Sequence, residues 1–507
     1  MLFNSYIFIF LFLPICIFGY FLINKAGKYR LGNAFLLGMS LWFYGYFNPA
    51  YLLIIISSVC INFTFYKIMK RMQKQTMLEA VTENYELQNL ASASIGHLKK
   101  CKPVVVLAVA VNLGIIGYFK YMDFFIENVN AIAKTDWPLM HIVLPLGISF
   151  FTFQQISFVV DTYRGEVPTY DFLTYACYVT FFPQLVAGPI VTHDEMIPQL
   201  TNPAKKHINW NNMAMGFYIF ALGLGKKILI ADVFGNAVNW GYENVADLKA
   251  TNAILIAIAY YFQIYFDFSG YCDMAIGLGK MLNIELPVNF DSPYKSLSIV
   301  EFWKRWHKTL TRFFTRYVYI PLGGNRKGKV RTIVNIFIVF FLSGLWHGAA
   351  WTFVLWGVMN GIFVIINRIF KKQFDAMHPA LGWMITQVFT CLAWVFFRAE
   401  TVSDAIKIIK QILYVDFTNI DVNILYAFQT SPLKWLLDGT PVTHSLPFIY
   451  VGLYYIGALF ILLGFKNSYE KMKAFKPNWK NMLWAGFLMA ASILSFSGIS
   501  TFLYFNF

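Results

Sequence analysis

Long apolar runs separated by short basic loops dominate this chain. Apolar segments fall at about 5–24, 31–48, 50–66, 103–120, 138–160, 171–191, 211–227, 251–278, 332–347, 350–367, 380–397, 447–465 and 482–504. A helix needs roughly 20 residues to cross the hydrocarbon core, so several of these are short. Interrupted segments survive at membrane depth only where protein or a wet cavity surrounds them. No run alternates as a strand would. The pattern predicts an all-α polytopic membrane protein with about 11–13 membrane segments, some short or re-entrant. Residues 5–24 read as a retained first span, because no basic start or small-residue cleavage site marks a signal peptide.

The polar stretches give an orientation. Cations gather after the first segment (Lys25, Lys28, Arg30), in a loop over 66–102, and at Arg368, Lys371 and Lys372. They gather again at Lys466, Lys471, Lys473, Lys476 and Lys480. Residues 280–331 hold eleven cations against Glu285, Asp291 and Glu301. Placing these loops in the cytoplasm puts the N-terminus outside. The region 399–446 then falls on the extracytoplasmic side, with an interfacial helix over 401–413 where Val402, Ile406, Ile409 and Leu413 recur at helical spacing. No long internal repeat is visible, and the chain reads as one membrane domain over 1–507 with its core motifs at about 147–361.

Composition agrees with the pattern. The 507 residues are 58% hydrophobic and 13% charged, with a mean hydropathy of +0.54. Soluble proteins carry roughly 25% charged residues. The net charge of +15 follows from the basic loops, so positive-inside topology and attraction to anionic lipid explain it without nucleic acid. Six cysteines without a CxxC pair support neither a disulfide framework nor a zinc site. No GxSxG, HExxH, P-loop or dinucleotide fingerprint is present.

Two histidines stand out. His347 lies in SGLWHGAAW (343–351) between two apolar runs, with Trp346 beside it and Asn360 further along the returning helix. A neutral imidazole can sit at membrane depth and act as a base, although a buried structural histidine would look the same. His307 lies in FWKRWHKTLTRFF, where aromatics and cations alternate. That segment is too cationic to span. It reads either as an interfacial anchor or as a dock for a phosphate-bearing donor, with Lys304, Arg305, Lys308 and Arg312 as candidate ligands. Asp267 and Asp273, six apart at the end of an apolar run, should be paired or hydrogen-bonded; they could orient a base or form structural ion pairs. Gln154, Gln155, Asp161, Arg164 and Gln184 are candidate cavity-wall groups near helix ends.

The strings SFFTFQQISFVVDTYRGE, FFPQLVAGPI, YFDFSGYCDMAIGLGKML, NFDSPYKSLSIVEFWKRWHKTLTRFF, YVYIPLGGNR and SGLWHGAAWTFVLWGVMNG resemble the membrane-bound O-acyltransferase family. The likeness is to its bacterial branch that O-acetylates exported polysaccharides, the alginate acetylation type. The resemblance implies a many-helix fold with a central funnel reaching a buried histidine, the family's motif histidines falling on His347 and His307. It implies a cytoplasmic acetyl-CoA donor with no bound cofactor or metal, and an exported glycan as acceptor. It also implies an extracytoplasmic partner with a serine-hydrolase-like (SGNH) domain, in the cytoplasmic membrane of a bacterium. D-alanyl transfer to teichoic acid from a carrier protein, and a non-catalytic transporter of polysaccharide or donor, remain open alternatives. The ending TFLYFNF resembles tails of such systems, which makes Tyr504 a candidate acyl relay. A phenol with a pKa near 10 leaves more readily than an alkyl alcohol. An interfacial aromatic anchor fits the same residues.

Overall fold

The computed structural model describes residues 1–83, 87–429, 446–496, 502 and 503, with the backbone alone at 77, 79–83 and 87–97. Among the described residues it is helical without strands, and eight helices are long and apolar enough to cross a membrane. They lie at Phe8–Lys25, Ala50–Thr76, Leu98–Ala133, Ala250–Met281, Gly328–His347, Trp351–Ile369, Pro379–Arg398 and Leu446–Gly464. Other apolar segments fold as shorter pieces. The stretch 171–191 breaks into Phe172–Thr180 and Phe182–Leu185, and 482–504 contributes Trp479–Leu494. The polar stretch 66–102 is largely a continuation of helices Ala50–Glu83 and Leu87–Ile116.

The chain divides into two compact units. The first comprises Met1, Ile7–Met213 and Gly279–Pro287. Its helices meet through aromatic clusters such as Phe8, Phe12, Phe43 and Phe182, and through paired amides. Asn62 and Asn112 donate to each other at 3.1 and 2.7 Å, and Gln155 donates to Ser58 at 2.8 Å. Such pairing replaces the water that lipid cannot supply.

The second unit comprises Leu2–Tyr6, Ala214–Leu278 and Val288–Phe507. Five of its helices matter below: α1 (Trp210–Gly225), α2 (Ala250–Met281), α3 (Gly328–His347), α4 (Trp351–Ile369) and α5 (Pro379–Arg398). Protein covers 83% of the most apolar stretch of α2, against 22–50% for the other seven candidate spans. Helix α2 is therefore a pillar inside protein rather than a lipid-facing helix.

Glycines set two close helix approaches. A Cβ on Gly223 would lie 2.5 Å from the Gly270 carbonyl oxygen, and one on Gly277 would lie 2.6 Å from that of Gly216. Helices α1 and α2 thus touch backbone to backbone. In the α3–α4 hairpin, a Cβ on Gly344 would lie 2.5 Å from the Phe353 oxygen, and one on Gly357 2.5 Å from that of Phe340. Small residues permit this in membranes, where packing and hydrogen bonds hold helices together. Gly344→Ala should therefore destabilise the hairpin by about 1–3 kcal/mol, read as a lower melting temperature of the detergent-purified protein. Gly457→Ala, where nothing lies within 4 Å, should leave it unchanged or raised.

Candidate active site

His307 occupies a turn between the short helices Ile299–Arg305 and Lys308–Phe314, with φ 44° and ψ 54°. A residue with a side chain adopts this left-handed conformation only when its surroundings impose it. Asn289 does so. Its carbonyl accepts from Lys308 N at 3.0 Å, and its side-chain oxygen accepts from Thr309 N at 3.2 Å and Thr309 Oγ1 at 2.6 Å. Asp291 N donates to the Arg305 carbonyl at 3.0 Å, fastening the other side of the turn. The result buries His307 to 1% exposure. Its ring meets Phe268 edge-on at 4.9 Å and faces Phe290 at 6.5 Å.

His347 is the last residue of α3, and the chain reverses at once into α4. Gly348 permits the reversal, since a Cβ there would lie 2.2 Å from the Phe353 ring. The imidazole is also buried. Around it stand the rings of Trp346 at 4.8 Å, Trp356 of α4 at 5.0 Å and Phe397 of α5 at 5.0 Å. Asn360 donates to the Trp356 carbonyl at 2.8 Å, one turn along α4. The indole of Trp346 also faces His307 at 6.3 Å, so the two histidines share one aromatic wall. Forty residues apart in sequence, they converge on one indole.

A small cavity adjoins the His307 turn. Asn289 and Phe290 line it, and Tyr265, Cys272, Asp273, Lys226, Asn467 and Ser468 complete its polar side. Its charges are paired: Lys226 Nζ lies 2.6 Å from Asp273 Oδ2, and Ser468 donates to the same oxygen at 2.5 Å. Asn467 reaches out of the cavity to Asp291 at 3.1 Å. Asp291 in turn lies 3.7 Å from Lys308.

The two aspartates of α2 separate, as six residues on a helix require. Asp267 takes Lys227 at 2.6 Å, and Lys227 also reaches Asp232 at 2.8 Å. Both aspartates are thus ion-paired, and their partners are the adjacent Lys226 and Lys227. A π-helical turn over Lys226–Ala231 carries these two lysines, immediately after the close approach of α1 to α2. Sequence reasoning passed over them and over Asn289. The doubled lysine ending an apolar run, followed by Asp232, was the available signal.

The four candidate donor-binding cations divide. Arg305 pairs with Glu301 at 2.8 Å, and Lys308 sits near Asp291, whereas Lys304 and Arg312 are exposed. Gln184 belongs to the first unit, where it and Gln154 donate to the same Tyr178 carbonyl at 2.9 and 3.0 Å. Asp161 there lies 3.6 Å from Arg164 and 3.8 Å from His193. Tyr504 lies outside the described residues. Among the described residues no group of His, Cys, Asp and Glu could hold a metal ion.

Fold and site together define a multi-pass membrane protein with two buried histidines on one aromatic wall. The model of the membrane-bound O-acyltransferase family matches residues 162–401. The peptidoglycan O-acetyltransferase of Helicobacter pylori is 36% identical over 543 aligned positions, covering 100% of this chain and 98% of that protein. A probable alginate O-acetylase of Pseudomonas putida is 36% identical over 414 positions, covering 80% of this chain and 79% of that protein. The teichoic acid D-alanyltransferase of Streptococcus thermophilus is 25% identical and covers 45% of this chain and 58% of that protein. The chain belongs to the membrane-bound O-acyltransferase family and is an acyltransferase.

Burial pushes the His307 imidazole down to about 3. With the unfolded value near 6.5, the unfolded chain binds the extra proton between these limits, so stability rises with pH through that window. Acidification from pH 6.5 to 5 should cost wild type about 2 kcal/mol at this residue. His307→Gln should therefore show a shallower fall in melting temperature over that interval.

Proposed function

We propose that this protein moves an acetyl group from cytoplasmic acetyl-CoA to an acceptor on the outer side of the bacterial cytoplasmic membrane, for O-acetylation of an exported envelope glycan. The observation that carries the reading is the buried His347 imidazole, sharing the Trp346 wall with His307 beside a polar-lined cavity. Peptidoglycan is the preferred acceptor over an alginate-like polymer. The likeness to a peptidoglycan O-acetyltransferase runs the length of both chains, whereas the alginate relative aligns with about four-fifths of this one.

In this reading His347 is the base. The acceptor hydroxyl gives its proton to the imidazole, its oxygen bonds the acetyl carbonyl carbon, and the carbon–sulfur bond breaks. His347 then returns the proton to the departing thiolate. His307 has another role. An imidazole held at about 3 stays neutral and is a poor base, but its N–H can donate to the thioester oxygen as negative charge develops there.

The donor's pantetheine arm would enter the cavity beside the His307 turn, where Asn289, Asn467 and Ser468 offer hydrogen bonds to its amides. Lys304 and Arg312, exposed on the two flanking helices, would meet its phosphates. The N-terminus lies outside. An extracytoplasmic serine-hydrolase-like partner would complete transfer to sugar hydroxyls, with Tyr504 as the acyl relay.

His347→Ala should lower acetyl transfer from radiolabelled acetyl-CoA by roughly 10²–10⁴-fold per molecule of folded protein, the usual worth of a positioned base. Acetylation persisting in cells that carry this variant would remove His347 from the chemistry.

A further inference from the structure

Lys227, Asp232 and Asp267 form an ion cluster that is most deeply buried at Lys227 and Asp267, both with side chains 2% exposed. One ammonium there bridges two carboxylates, at 2.8 Å to Asp232 and 2.6 Å to Asp267. What completes it comes from the far end of the chain. The Leu503 backbone N–H donates to Asp267 Oδ2 at 3.0 Å, while the other oxygen of Asp267 holds Lys227. The Phe502 ring lies under the same ammonium, 4.7 Å from ring centre to Nζ. That ring is 1% exposed and stands edge-on to Tyr271 of α2 at 4.4 Å.

The chain's first residues close the other side. Phe3 stacks on Tyr271 at 4.9 Å, Tyr6 donates to the Ile493 carbonyl at 3.2 Å, and its ring meets Phe496 at 5.1 Å. A carboxylate taking a main-chain amide, a cation over an aromatic ring and a ring-edge contact together read a peptide with one aromatic side chain.

We propose that the Lys227–Asp267 cluster is a peptide-docking site whose occupant is the chain's own C-terminal segment. By fixing Phe502 and Leu503, it sets the register of the residues that follow for acetyl transfer. Asp267 and Lys227 are then positioning residues, and this second role rests on the acetyl-transfer reading.

Two measurements on the full chain in detergent test the site. Digestion of wild type by carboxypeptidase should stop before Phe502, and in Phe502→Ala or Asp267→Asn it should pass that point on the order of tenfold faster. Equal digestion of wild type and Phe502→Ala would overturn the docking site. This arm needs no acetyl donor, so failure of the acetyl-transfer reading leaves it intact. In the second arm, Phe502→Ala should lose transfer on the order of tenfold, and a synthetic peptide of residues 497–507 should restore it. The same peptide should fail to restore a chain that also carries Asp267→Asn. Wild-type transfer by Phe502→Ala, or equal rescue with and without Asp267→Asn, would overturn the positioning role. Should Asp267→Asn fail to fold, the Phe502→Ala chain with wild-type and Phe502→Ala peptides carries both arms, with equal rescue by the two peptides counting against the site.

Discussion

Lipid offers no water to a buried charge, and the second unit is built around that fact. Lys226 and Lys227 meet Asp273 and Asp267 on α2, each at 2.6 Å. Removing one member would leave its partner buried and uncompensated, a larger penalty than the pair's own net contribution. The pairs form because α1 and α2 touch at Gly223 and Gly270, close enough for lysines on one backbone to reach carboxylates on the other. A π turn then lets two adjacent lysines face the same helix. One pair lines the cavity beside His307, and the other holds the chain's last described residues.

The histidines show a different use of the same low-dielectric setting. Aromatic rings stand against both. Edge contacts with such rings fix the plane of an imidazole. The strain at His307 is balanced by Asn289, whose carbonyl and side-chain oxygen satisfy three donors around the turn. Two similar residues thus take different settings: one ends a helix beside a tight glycine reversal, the other sits on a strained backbone beside a cavity.

Much of the fold was legible in the chain. A helix that buries all its backbone groups must show a long apolar run, so the spans at 251–278, 332–347, 350–367 and 380–397 could be read directly. The shorter pieces could not, because segments such as 171–191 break where glycine and proline meet protein rather than lipid. Their apolar content hides the break. The pairing of both aspartates also followed from their burial. Which partners they take did not, since a lysine within an apolar run carries no mark of the helix it faces.

The sequence by itself determined that this is a membrane protein of the acyltransferase family, and it singled out His347 and His307. Those properties rest on composition, apolar length and residue strings, which are local. Only the tertiary structure decided that both imidazoles share Trp346, that Asn289 grips the His307 turn, and that Asp267 receives the main chain of Leu503. Apart from the neighbours Trp346 and His347, these contacts join residues between 19 and 236 positions apart. Distance along a chain says nothing about distance in space until helices pack, and here glycines at the helix contacts set that packing.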